Sequence, residues 1–216
     1  MTSVGNETGQ ILISVLTAQE GPALDTMVSG LINRYSQAAV ASPLLLYVDC
    51  GCCIEKGQSK LQARFGGWPD LNIRLDIWHF MRRLAVGCIT DAHPLYPVFM
   101  SRLSACIFEW DPDDVALLRR AKREQLQEEG VPVITDNLVD QCITKKELAL
   151  YCRRRTRGVE STTCYLDRLL QELMGDKGRD MMGVPLLDTV RIEHIWRVQM
   201  RHVKCIQDPP GVFSLH

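Results

Sequence analysis

Two short apolar runs, each closed by an aspartate, constrain this chain more than any other feature. "PLLLYVD" ends at Asp49 and "LNIRLD" ends at Asp76. An almost unbroken apolar run of this length, rich in Leu and Val, is expected of a strand covered on both faces. Such strands belong to α/β sheets, where ligands gather outside the carboxyl ends of the strands. Each aspartate stands at such an end. Beside the first lie Cys50, Cys52 and Cys53, and three residues past the second lies His79.

The surrounding patterns extend the α/β reading. "GQILISVLTAQ" predicts a strand, and "EGPALDTMVSGLINRY" places Leu24, Met27, Val28, Leu31 and Tyr35 at helical spacing. "IWHFMRRLAVGCI" turns to helical periodicity after Asp76. Beyond it the chain reads as mostly helical. Asp111 and Pro112 open one helix, and the Thr144–Glu147 capping box opens another that runs into "LALYCRRR". "VESTTCYLDRLLQELMG" and "DTVRIEHIWRVQMRHVKCI" complete the series. The expectation is about three strands within residues 1–90, followed by a helical region over 91–216.

Bulk properties exclude several classes. A net charge of −1 gives no global positive field, so nucleic-acid binding requires a local patch. No uninterrupted apolar window is long enough for a membrane helix. The opening "MTSVGNETGQ" lacks a secretory pattern, so a nuclear or cytoplasmic setting with reduced cysteines is expected. No GxxxxGK[ST], GxSxG or HExxH motif occurs.

Each candidate site has a plain alternative. Asp49 can hold Mg2+ or Mn2+ through a hard oxygen ligand, or end its strand with a turn bond. Asp76 and His79 can form an oriented acid–imidazole pair, or be a helix cap and a packed histidine. Cys50, Cys52 and Cys53 with His79 can bind zinc, although CxCC spacing departs from the usual CxxC pairs; the alternative is small buried hydrophobes. Lys145, Lys146, Arg153, Arg154, Arg155 and Arg157 can grip DNA phosphates, or be solvated charge at a helix end. His194, Trp196 and His202 read as packing residues.

Taken together, "GNETGQILISVLTAQEG", "LLLYVDCGCC", "IRLDIWHFMRRL", "TDAHPLYPVF", "RRRTRGVEST" and "IWRVQMRHVKCIQDPPGV" resemble transposon-derived proteins with an RNase H-like, DDE-type transposase core. The resemblance implies a partial RNase H-like sheet followed by a helical insertion region. It also implies a parent chemistry in which three carboxylates hold two Mg2+ or Mn2+ ions for DNA cleavage and strand transfer. In that resemblance Asp49 matches the second acid and the metal ligand, and Asp76 with His79 matches a segment just after it. The first and third acids have no counterpart. Glu109, Asp113, Glu160 and Glu193 stand in no matching context. The expectation is therefore a piece truncated at both ends and inactive alone, with no ion stably bound. The other expectation is a non-catalytic module that binds nucleic acid or protein.

Overall fold

The computed structural model describes residues 1–16, 23–51, 59–209 and 211. They form a mixed α/β chain whose sheets, among the described residues, are three pairs of strands. The chain divides into two units, Met1–Val86 with Glu193–Leu215, and Gly87–Ile192. The C-terminal segment thus groups with the first unit, not with the helical region that precedes it.

In the first unit, β1 (Thr2–Gly5) pairs antiparallel with β2 (Ile11–Val15). The turn between them is organised by Asn6, whose side-chain oxygen accepts the backbone N–H groups of Thr8 and Gln10 at 3.2 and 2.8 Å. Gly9 sits at φ 78°, the left-handed conformation that glycine adopts without penalty. The sequence reading missed β1, because a four-residue strand with one large apolar residue leaves no periodic signal.

Helix α1 (Ala23–Gln37) buries Leu24, Met27, Val28 and Leu31, the stripe predicted from spacing. β3 (Leu45–Val48) lies parallel to β4 (Asn72–Leu75), in the register Leu45 to Asn72 through Val48 to Leu75. Between them, α2 (Lys60–Arg64) is capped by Ser59, whose hydroxyl accepts the Gln62 N–H at 2.9 Å. Val28 and Leu31 of α1 share a core with Phe65, Trp68, Leu71 and Ile73, and the strand residues Ile13, Leu46 and Val48 pack on it. Trp68 stacks on Phe65 at 5.6 Å between ring centres and meets Tyr35 edge-on at 5.1 Å. Helix α3 (Ile77–Ala85) follows β4 directly and buries Ile77, Phe80, Met81, Leu84 and Ala85.

The second unit is helical, as expected, with one exception. Helix α4 (Tyr96–Ile107) buries Phe99, Leu103 and Ile107 at successive turns and packs against α8 (Val159–Met174), which buries Leu166, Leu169, Leu170 and Leu173. α5 (Pro112–Glu128) starts at the predicted Asp111 cap. α6 (Asp136–Cys142), not foreseen, starts at Thr135. α7 (Lys145–Tyr151) carries the predicted capping box. The exception is β5 (Phe108–Trp110), paired antiparallel with β6 (Arg154–Thr156). Both strands fall on residues read from the sequence as helix ends. α9 (Thr189–Gln199) and a 3-10 turn, Met200–Cys205, close the described chain, and the boundary between the units falls within α9. No helix among the described residues is long and apolar enough to cross a membrane.

Candidate functional site

The parallel pairing of β3 and β4 brings the two predicted aspartates to neighbouring strand ends. Val48 stands opposite Leu75, so Asp49 and Asp76 are the next residues on adjacent strands. The Asp76 N–H donates to the Val48 carbonyl at 2.8 Å, continuing the ladder to the edge. Arg83 closes the corner from α3 by donating to the Asp49 backbone carbonyl. The Asp49 side chain is exposed.

Asp76 is the N-cap of α3. Its backbone is extended at φ −61° and ψ 129°, and one carboxylate oxygen accepts the His79 N–H at 2.8 Å. The same oxygen lies 2.9 Å from His79 Nδ1. Asp76 is therefore a cap and also the partner of the imidazole, while His79 is exposed and not packed. His79 is 46% exposed, and Trp78 meets it edge-on at 4.9 Å.

Two residues that sequence reasoning missed complete the corner's electrostatics. Tyr47 lies on β3 opposite Arg74, and Asp208 comes from the C-terminal segment. Burial first, then the negative charge of Asp208, push the Tyr47 phenol up to about 12, with Arg74 opposing and Asp76 adding to the rise. Arg74 Nε also donates to the Gln207 carbonyl at 3.1 Å, which fixes that segment beside β4. A proline pair after Asp208 was the only local signal, and it read as a helix stop.

Two Mg2+ ions held side by side need several converging carboxylates. Here one oxygen of Asp76 is committed to the cap and the imidazole, and Asp49 is exposed at the neighbouring strand end. Among the described residues, no three His, Cys, Asp or Glu side chains are grouped to hold a metal. The described donors do not fit a two-metal centre. Of the zinc candidates, Cys52 and Cys53 lie outside the described residues, and Cys50 is exposed. Cys205 is disulfide-bonded, against the expectation that all nine cysteines stay reduced.

The six cationic residues proposed for DNA lie elsewhere, in the second unit, and the acids around them take up half of the set. Arg153 makes a bidentate pair with Asp114 at 2.8 and 2.9 Å. Arg155 and Arg157 both reach Glu109, at 2.9 and 3.3 Å. The Arg154 guanidinium lies over the Phe108 and Trp110 rings, 5.7 and 5.1 Å from their centres. The stretch was expected at a helix C-terminus. The helix instead ends at Tyr151, and residues 154–156 form a strand whose register with 108–110 sets Arg155 opposite Glu109. Lys145 and Lys146 are exposed in the first turn of α7.

No family model, no curated protein and no solved structure matches this chain.

Proposed function

We propose that this chain is a transposase-derived α/β domain, RNase H-like in origin, that keeps one corner of a metal-dependent site and cleaves no DNA by itself. One observation supports the reading above others: Asp49 and Asp76 end two paired parallel strands, with Asp76 and His79 opening the next helix. This is the arrangement expected from the resemblance for the second acid and the segment after it. One exposed carboxylate holds a hydrated divalent ion only loosely, since Mg2+ keeps most of its waters unless further carboxylates or substrate phosphates join it.

The same corner also favours a second reading, a binding module that retained the fold without the chemistry. Asp76 serves the helix cap, and a cap contributes about 1 kcal/mol to stability whether or not a metal is ever bound.

Millimolar Mn2+ followed by amide NMR distinguishes the outcomes. Paramagnetic broadening confined to residues 49–51 and 76–79, and lost in D49N, is the expected result. Broadening that spares this corner would remove the remnant-site reading. Nicking of plasmid DNA by the chain in Mg2+ or Mn2+, lost in D49N, would overturn the claim that it is inactive alone.

A further inference from the structure

The C-terminal part of the first unit carries a run of exposed cations, with Glu193 one helical turn before the first of them. Arg197, Arg201 and Lys204 are exposed, and none has an ion-pair partner among the described residues. Between Glu193 and Asp208 the chain contains no acid at all. Arg197 lies in the last turn of α9, and Arg201 follows four residues later in the 3-10 turn, where Lys204 is three residues further on. The three-residue step within the 3-10 turn stacks Arg201 and Lys204 on one side, about 6 Å apart along the axis. That step suits successive phosphates of an extended strand.

Arg83 joins the row from α3. Its guanidinium donates to neutral oxygens, the Asp49 backbone carbonyl and the Gln199 side chain at 3.4 Å, and makes no ion pair within 4.0 Å among the described residues. His202 registers the convergence. Burial first, and then the charges of Arg83, Arg201 and Lys204, hold its imidazole below the usual value, and its buried Nδ1 has no hydrogen-bond partner. On the same helix as Arg83, Trp78 is 58% exposed, with the Arg82 guanidinium 5.6 Å from its ring centre.

We propose that Arg83, Arg197, Arg201 and Lys204 form a binding strip for single-stranded nucleic acid, gripping its phosphates while Trp78 stacks a base. Three of the four cations are arginines, whose planar donors suit phosphate oxygens. Trp78, on the helix that carries Arg83, offers a stacking face, and sequence-tolerant single-strand binding combines such faces with a cationic groove because every base offers a π-face. The proposal rests on the cation strip and not on transposase ancestry, so the two fail separately.

Fluorescence anisotropy of the full chain with labelled oligothymidylate tests it. Four phosphate contacts predict about a 50-fold loss of affinity between 50 and 200 mM salt, and two contacts about sevenfold. R201Q/K204Q should therefore bind about tenfold more weakly at 50 mM salt and show the shallower dependence. K145Q/K146Q removes the same charge from the second unit and should leave binding unchanged. W78A should lose about fivefold or more, and W78F should recover most of it. Unchanged melting by circular dichroism verifies that the variants fold.

Equal weakening by the two lysine-containing double variants would overturn the strip, because net charge alone would then govern binding. Affinity for duplex DNA that exceeds that for oligothymidylate and ignores W78A would overturn the single-strand assignment. Binding of phosphatidylserine vesicles or polyglutamate without binding of oligothymidylate would overturn the partner.

Discussion

Two cationic regions of this chain look alike on paper and differ in what their charges do. Residues 153–157 hold four arginines in five positions, the densest run in the sequence. Residues 197–204 hold three cations in eight. In the dense run, Asp114 and Glu109 meet three of the four guanidiniums, and aromatic rings face the fourth. In the sparse run, Arg201 and Lys204 act on His202 together with Arg83 from α3, and no acid lies between residues 193 and 208. Availability to a ligand depends on what the fold brings opposite a charge, and density along the chain does not report it. The dense run works as internal fastening for β5 and β6, and the sparse one presents a field to solvent.

The largest expected effect separates these roles directly. Glu109 holds Arg155 and Arg157 across the β5–β6 pair, and the three side chains are between 28% and 46% exposed. Charge-assisted bonds of this kind contribute more than neutral ones, but solvent screening reduces them at this exposure. E109A should destabilise the chain by about 1–2 kcal/mol in urea unfolding. R201A, an exposed site away from packing, should stay within about 0.5 kcal/mol. Comparable losses in the two variants would end the distinction between fastening and field.

What the sequence made legible was local. The Asp111 and Thr144 caps work through residues two or three positions on and were read as caps, and the Asp76 cap was one of two readings left open for that residue. The buried stripe of α1 and the two strand-ending aspartates were equally plain. The missed elements depend on distant partners. β5 and β6 are three residues each and acquire strand character only from one another, 46 positions apart at Glu109 and Arg155. α6 offers a single buried residue, Val139, too little for a helical pattern. Asp208 and His202 enter the first unit through the return of the C-terminal segment, which no local periodicity announces. Half of the candidate site was therefore visible as two strand ends, while its surroundings were not.

A smaller effect tests the fastening by pH. Hydrogen bonds from the Arg153 side chain and backbone hold Asp114 down to about 2, against an ordinary 3.8. Hydrogen bonds from Lys122, then from Thr144, hold Glu147 down to about 2, against an ordinary 4.5. Both folded values are depressed, so the unfolded chain takes up protons first as the solution is acidified. The stabilisation is present in full above the ordinary values and is lost as pH falls from 3.8 toward about 2 for Asp114, and from 4.5 toward about 2 for Glu147. The urea midpoint should decline across that window, and D114N should make the decline shallower. An unchanged slope would mean that the Arg153 pair is not holding the dense run in place.

The smallest effect probes the field itself. Burial and three cations depress His202, so the unfolded chain is protonated before the folded one as pH falls below 6.5. The neutral imidazole is thus compatible with the folded strip at neutral pH, and acidification below 6.5 costs stability until the folded value is passed. If Arg201 and Lys204 supply part of that depression, R201Q/K204Q must raise the His202 value, as followed by its imidazole signals in an NMR pH titration. K145Q/K146Q must leave it where it was. Phosphates laid on the strip would act in the same direction as the neutralising substitutions, so oligothymidylate should raise the value in the wild-type chain and have little effect in R201Q/K204Q. A His202 titration indifferent to both changes would mean that the charges do not converge, and the sparse region would then be no more of a site than the dense one.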